Sequence, residues 1–170
     1  MTSMARTQEQ TQEQTQEQTR WLTDDEQLVW RAFVPMLQQL PAALDRQLQV
    51  DAGIPHTYYM ILAMLSESPG QALRMSELAD LTTTSQSRLS HAVARLEEQG
   101  WVERRPCPTD KRGQLALLTP AGFRRLAELA PGHVAEVRRI VFDGLTPAQL
   151  DALREIASTI TGRIAGIEPG

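Results

Sequence analysis

The residues between Ser85 and Arg95 have the side chains best suited to chemistry with a charged polymer. On a helix with about 100° per residue, one face of this segment has hydroxyl, imidazole and guanidinium groups and no carboxylate. The residues on and beside that face are Ser87, Arg88, Ser90, His91 and Arg95. Guanidinium groups pair with guanine edges or phosphates, and short side chains allow close approach to a groove. An ordinary solvated face mixes charges of both signs, so this segment favours contact with nucleic acid.

The opposite face of the same segment is apolar and predicts how the helix is held. Leu89, Ala92, Val93 and Leu96 fall together there and should enter the core. Ser85 is suited to cap the helix at its start, and Gly100 is suited to end it. A short helix over residues 76–81, capped by Ser76, and a threonine turn at 82–84 come before it. Short helix, turn and longer helix together predict a helix-turn-helix.

A basic loop between two short strands follows the predicted reading helix. Residues 101–104 and 115–118 alternate as strands do, and residues 106–113 are rich in turn-forming residues. From Arg104 to Gly113 there are four basic side chains and one acid, a local charge of +3. Two strands joined by such a loop predict a wing. We therefore expect a mainly α fold with a small β wing, in which a winged helix-turn-helix lobe is joined to a further helical region.

Long helical patterns lie on both sides of this lobe. A pattern from Asp24 to about residue 52 contains Pro35 and Pro41, which should kink or split it, and Gly53 should end it. Thr119 should cap a helix that continues to about Val141 with a bend at residues 131–132. A final helix should start at a capping box formed by Thr146 and Gln149, with an apolar stripe over residues 150–164.

The first 20 residues differ from the rest of the chain. The sequence Thr-Gln-Glu-Gln is repeated over residues 7–18 without a single apolar side chain. Such a segment has nothing to bury, so we expect residues 1–20 to be a disordered tail and residues 21–170 to be one domain.

Composition excludes several classes of protein. The net charge is −4, with 17 basic and 21 acidic residues, so any attraction to nucleic acid must be local. There is no secretory signal, no apolar run long enough for a bilayer and only one cysteine, which favours a cytoplasmic protein. The sequence contains no glycine-rich phosphate loop, no zinc-binding histidine pair and no nucleophile elbow. We therefore expect neither an enzyme nor a bound metal or cofactor.

Taken together, the motifs of residues 73–122 resemble those of the MarR family of winged-helix transcription regulators. The wing signature of that family, Asp-x-Arg followed by Leu-Thr, is present at Asp110, Arg112, Leu118 and Thr119. The other matching stretches are Leu73–Ala79, Ser87–Ser90, Arg95–Glu97, Gly100–Val102 and Arg104. The order of helices also fits, so the resemblance covers about residues 24–165. It implies a lobe at 56–119 between dimerisation helices at 24–52 and 120–166.

The resemblance also implies roles for particular residues. A homodimer would bind double-stranded DNA with a pseudo-palindromic operator, each reading helix in a major groove and each wing in a minor groove. Arg112 would enter the minor groove, with Asp110 holding its guanidinium in place, and narrow minor grooves attract arginine. The expected DNA-binding residues are Ser85, Gln86, Ser87, Arg88, Ser90, His91, Arg95, Asp110, Lys111 and Arg112.

Three further hypotheses concern regulation and rival functions. The resemblance implies a repressor released by a small aromatic effector. Trp30, His56 and Tyr59 are the candidate residues for binding that effector, although Tyr59 fits a core position better. Cys107, close to Arg104 and Arg105, would suit a cysteine-based redox-sensing regulator. A winged-helix module for protein–protein contact without DNA binding is the other alternative, and it would favour an apolar or acidic face at 85–95.

Overall fold

A computed structural model describes residues 19–108 and 110–166, and at residues 111 and 112 it describes the backbone alone. These residues fall into two compact units divided after Leu40. Most of the predicted disordered tail, residues 1–18, lies outside the described residues.

The order of elements is helix-rich with one small sheet. The helices are α1 Asp24–Ala52, α2 His56–Glu67, α3 Met75–Leu81, α4 Gln86–Glu98, α5 Pro120–Val137 and α6 Pro147–Ala165. The strands are β1 Ala72–Arg74, β2 Val102–Cys107 and β3 Asp110–Leu118. A π-helical turn, Arg138–Phe142, follows α5. The predicted class, mainly α with a β wing, is confirmed.

The first unit contains the start of α1, where a capping box satisfies the free backbone donors. The Glu26 carboxylate accepts from the Thr23 amide at 2.8 Å, and the Thr23 hydroxyl accepts from the Glu26 amide at 3.2 Å. Asp24, Asp25 and Glu26 also place negative charge at the positive end of the helix dipole. This half of α1 exposes large apolar side chains: Leu28, Val29, Trp30, Met36 and Leu37.

Of the two outcomes predicted for Pro35 and Pro41, a kink or a split, the split is wrong. Residues 24–52 are helical throughout, across Pro35 and Pro41, and α5 continues across Pro131. A proline removes one amide donor from the helix, but the bonds of the residues around it can still form. The irregular part of the α5 region is the π-helical turn, six residues beyond the predicted bend.

The sheet is larger than the sequence predicts. It has the antiparallel order β1-β3-β2, and β1 was not expected. Both wing strands extend into residues predicted as loop, with Pro106 opposite Gln114 and a bulge at Pro106/Cys107. Pro106 is tolerated because β2 is an edge strand, where a missing amide donor need not break the ladder.

Caps define the lobe's helices, with one correction. Ser85 caps α4 by accepting from the Arg88 amide at 3.4 Å, and Thr119 caps α5 by accepting from the Gly122 amide at 3.0 Å. Ser76 does not cap α3, which already begins at Met75. There the Glu77 carboxylate accepts from the Arg74 amide at 3.2 Å instead. Gly53 and Gly100 end α1 and α4 with positive φ, as predicted.

One apolar core holds the lobe together. Leu89, Ala92, Val93 and Leu96 of α4 are all buried in it, as the pattern predicts. Each fully buried side chain of this kind contributes about 1.5–3 kcal/mol relative to an exposed one. The largest buried partners are Leu48, Ile61, Leu62, Leu65 and Leu78. The core therefore fixes which face of α4 points outward.

The last helix has a different character, because α6 contains no buried residue. It exposes apolar side chains at Leu150, Leu153, Ile156 and Ile164. No helix within the described ranges combines the length and apolarity that spanning a membrane requires.

The junction between α4 and α5 depends on a glycine. The Thr119 hydroxyl donates to the Gly100 carbonyl at 2.7 Å, and the Thr119 amide donates to the Trp101 carbonyl at 3.0 Å. A Cβ at Gly122 would collide with that Trp101 carbonyl and would lie 2.8 Å from Leu118 Cδ1. Position 122 is therefore packed against backbone, which has little room to move.

We expect Gly122→Ala to lower the free energy of unfolding by about 1–3 kcal/mol, the usual cost of overpacking. Gly162→Ala is the matched control, because a Cβ at Gly162 meets nothing within 4 Å. The control should gain about 0.5–1 kcal/mol from helix propensity. Urea unfolding measures both changes. Equal stability of the Gly122 variant and the wild type would contradict the close packing of α5 on Trp101.

Candidate nucleic-acid interface

Helix α4 presents the outward face that its sequence predicts. The side chains of Ser87, Arg88, Ser90, His91 and Arg95 are exposed, together with Gln86 and the cap residue Ser85. No acidic side chain lies on α4 before Glu97. The geometry thus brings together hydroxyl, imidazole and guanidinium donors on one convex surface, which suits base edges and phosphates.

The cations of this face differ in their availability. Within residues 19–108 and 110–166, the Arg88 guanidinium and the His91 ring have neither a hydrogen bond nor an ion pair. Arg95, one turn further along, donates to the Glu98 carboxylate at 2.8 Å, which raises the pKa of Arg95 further. Exposed pairs of this kind are weak, so a phosphate could replace Glu98. Arg88 can bind a phosphate without losing a carboxylate partner.

The wing carries less free positive charge than the local count of +3 suggests. Arg104 Nε lies 2.6 Å from Glu97 Oε2, and the Arg104 amide also donates to Glu97 at 2.8 Å. Arg105 Nε donates to Glu103 at 2.9 Å, which lowers the pKa of the Glu103 carboxyl. The charge count over residues 104–113 leaves out both acids, because Glu103 lies one residue and Glu97 seven residues before it. Arg104 therefore ties β2 to the end of α4.

Asp110 has a partner that the sequence did not predict. Its Oδ2 atom lies 3.4 Å from Arg74 Nη1, which links the start of β3 to the end of β1. A Cβ at Gly113 would lie 3.0 Å from the same Oδ2 atom, so a small residue is needed there. The hypothesis that Asp110 positions Arg112 stays a prediction, because the side chain of residue 112 is not described.

Two grooves flank α4. One, of about 660 Å³, is lined by Thr57, Tyr58 and Thr84 together with Arg88 and His91. The other, of about 290 Å³, lies between α4 and the wing and is lined by residues that include Arg74, Ser90, Arg104 and Gln114. Sequence analysis missed Thr57, Thr84, Arg74 and Gln114. The threonine run directly before Ser85 was a usable signal for Thr84, since hydroxyls before a helix start suit phosphate.

The candidate effector residues are distributed between the two units. His56 and Tyr59 share a neighbour, because the His133 ring of α5 lies at centroid distances of 5.3 Å from His56 and 4.1 Å from Tyr59. Tyr59 is 8% exposed and belongs to the core, as its helical position indicated. Trp30 belongs to the first unit and is 55% exposed. Ligand binding by these three residues stays a prediction. No sequence motif indicated His133. Cys107 is buried in β2.

Comparison with known proteins identifies relatives of the whole arrangement. Residues 52–113, from the end of α1 into the first half of β3, match a family model described as MarR family. The chain is similar to Sco3205, a MarR family transcriptional regulator from Streptomyces coelicolor whose crystal structure is a complex with DNA. The two are 53% identical with a TM-score of 0.80, and the match covers 89% of this chain and 94% of that one.

Two other relatives extend the comparison. AbsC, a MarR family transcriptional regulator from Streptomyces coelicolor, is 42% identical with a TM-score of 0.80, over 88% of this chain and 100% of that one. The transcriptional repressor MprA of Escherichia coli strain K12 is 27% identical over 116 residues. That stretch is 68% of this chain but 65% of MprA, a little under two thirds of its length.

The free guanidinium of Arg88 generates a prediction about DNA affinity. We expect Arg88→Ala to weaken binding to duplex DNA while leaving thermal stability unchanged, because Arg88 contacts no partner that folding would lose. A base contact would cost about 1–3 kcal/mol at one position of the site. A phosphate contact would instead reduce the salt slope by about 1 on any sequence.

The matched control is Arg124→Ala, which removes the same charge from an exposed position on α5. Fluorescence anisotropy at several salt concentrations measures both variants. If the two variants bind DNA equally well, the assignment of α4 as the reading helix is wrong.

Proposed function

The chain belongs to the MarR family of transcription regulators, and from this premise we propose that it is a homodimeric repressor. In this proposal it binds a pseudo-palindromic operator and is released from it by a small aromatic effector. The observation that carries the proposal is the outward face of α4. Arg88 and His91 are exposed there, and α4 has no carboxylate before Glu97. A module for protein–protein contact would favour apolar or acidic residues at these positions.

The exposed apolar side chains support the homodimer. Leu150, Leu153 and Ile156 stand three residues apart on α6, Ile164 follows eight residues later, and the four are 38–63% exposed. Large contiguous apolar surface is uncommon on a monomer, and obligate dimers bury such faces between subunits. The apolar side chains of the first half of α1 offer a second such surface. A second copy of the chain presents the same apolar surfaces, so two copies can bury them against each other.

Repression and effector release are the finer parts of the proposal. MprA is named as a repressor, and a protein that covers an operator blocks transcription by occupying the site. An aromatic effector would need an apolar cavity with polar groups, and the groove of about 660 Å³ beside α4 offers Tyr58, Arg88 and His91. A ligand in that groove would compete with DNA for the same side chains.

The operator itself gives the decisive test. We expect selection of bound duplexes from a random pool to yield an inverted repeat whose half-site centres are about 10 bp apart, because two-fold symmetry places the two reading helices one turn apart. A selected motif with one asymmetric half-site would contradict the proposal that a homodimer binds the operator. Recovery of no enriched sequence would favour the protein–protein module.

Arg112→Ala should weaken binding to the selected operator and leave dimerisation and thermal stability unchanged. Its guanidinium is proposed to meet minor-groove acceptors and phosphates, so the salt slope should fall by about 1. Titrations on selected and scrambled duplexes separate this wing contact from base reading by α4. Wild-type affinity on both duplexes would remove Arg112 from the interface.

Ile156→Asp should dissociate the dimer, because it places an unpaired charge within the apolar stripe of α6. Sedimentation velocity at micromolar concentration should show a monomer or an unfolded chain for this variant and a dimer for the wild type. Ser158→Asp adds the same charge about 160° around the helix from Ile156 and should stay dimeric. A wild-type chain that sediments as a folded monomer would refute the proposed interface.

A further inference from the structure

A cluster of titratable side chains in the second unit has no part in the DNA contacts described above. We call it the imidazole cluster, formed by His56, Tyr59, His133 and Gln47. Its rings lie at centroid distances of 5.3 Å for His56 and His133 and 4.1 Å for Tyr59 and His133. His133 is 6% exposed. Since these residues come from α1, α2 and α5, the cluster is a joint where three helices meet.

Hydrogen bonds fix the tautomer of the neutral His133 ring in this joint. Gln47 Nε2 donates to the Asp51 carboxylate at 2.8 Å, so the Gln47 carbonyl oxygen is turned toward His133. That oxygen lies 3.2 Å from His133 Nδ1 and can only accept, so Nδ1 carries the proton. The neutral His133 ring therefore already has its proton on Nδ1, and a second proton would have to bind at Nε2.

The charged groups around the joint are few, and their positions limit what they can offset. Asp45 of α1 faces His56, but its Oδ1 atom accepts from the His56 backbone amide at 2.8 Å and not from the ring. Asp51 contacts Gln47 rather than either imidazole. From α2, Tyr59 contributes a phenol, and burial and the Glu67 charge raise its pKa, so it stays neutral. From α5, His133 is itself the titratable group.

Protonation of either imidazole is therefore opposed in the folded chain. Burial lowers the pKa of His56, with a smaller opposite effect from Asp45. Burial lowers the pKa of His133 as well, and a charge on His56 lowers it further. The unfolded chain therefore binds more protons than the folded chain once the pH falls below the ordinary value of 6.5. Stability is complete above that pH and is lost as acidification proceeds toward the folded-state values.

We propose that the imidazole cluster is a proton-sensitive joint that weakens operator binding on acidification. Protonation would place charge between the ends of α1, α2 and α5, separating helices that the neutral rings hold together. Helix α2 shares the buried core with α4 through Ile61, Leu62 and Leu65, so movement of α2 displaces the reading helix. The effect on DNA rests on the proposed function, whereas the effect on helix packing does not.

The test compares four proteins at pH 7.5 and pH 5.5 with ionic strength held constant. His56→Gln removes one titrating ring and keeps the backbone amide that Asp45 binds. His133→Asn keeps a donor near the position of Nδ1 and removes the other ring. A double variant combines the two. Thermal unfolding and affinity for the selected operator are measured for each, and His56→Gln alone suffices if the buried position 133 does not tolerate the change.

We expect the wild type to lose thermal stability at pH 5.5 and to bind its operator at least about fivefold more weakly, the lower end of ordinary coupling between sites. Each single variant should lose less than the wild type, and the double variant should be nearly insensitive to pH. A fifth protein, His91→Gln, is the control on α4 and should keep the wild-type pH response of thermal stability, because His91 lies outside the imidazole cluster.

The outcomes separate the two proposals. Equal pH responses of the wild type and the double variant, in stability and in affinity, would overturn the joint. A pH-dependent stability that the variants abolish, together with unchanged operator affinity, would overturn its regulatory role. If no specific operator exists at either pH, the proposed function fails, and the stability measurements alone then decide whether the joint senses protons.

Discussion

The burial of one face of α4 is the constraint on which the rest of the structure depends. Leu89, Val93 and Leu96 are fully buried, and this leaves a single orientation for the helix. Any other rotation about its axis would expose these side chains and bury Arg88 without a partner, and burying an unpaired charge is far more costly than exposing an apolar group. The DNA-facing surface is therefore a consequence of core packing.

Ion pairs then determine which basic residues remain for a ligand. Glu97 engages Arg104, Glu103 engages Arg105 and Glu98 engages Arg95, so three of the basic side chains near α4 and the wing have internal carboxylates. Arg104 joins two elements and is the most structural of the three, because Glu97 accepts from both its side chain and its backbone. Arg88 has no such role. The charge pattern separates cations that stabilise the wing from cations that are available to DNA.

Sequence patterns predicted the parts of the molecule that local rules govern. The buried and exposed faces of α4, the caps at Ser85, Thr119 and Thr146 and the end at Gly100 all follow from spacing and side-chain type. The failures arise where tertiary context decides. Pro106 resembles a loop residue until its place on an edge strand is known, and β1 is too short to carry a pattern of its own.

The same limit applies to the candidate site. Arg74 and Asp110 are 36 residues apart, and only strand pairing brings them into contact. His133 meets His56 across 77 residues, and neither has a neighbour in sequence that predicts the other. Such contacts depend on topology rather than periodicity. The charge count over the wing failed for a related reason, since Glu97 and Glu103 contact the wing arginines in space but precede residues 104–113 in the sequence.

The net charge of −4 gives the unpaired α4 face a consequence for encounter with DNA. A duplex repels the carboxylates of an acidic protein and attracts a surface such as that of α4, where Arg88 has no carboxylate partner. Long-range forces therefore act on orientation before contact is made, and they turn the molecule so that α4 arrives first. A uniformly basic protein would instead adhere to DNA through any side. An acidic chain with one basic face spends less time in misoriented encounters, and its search along DNA is governed by the surface that reads the sequence.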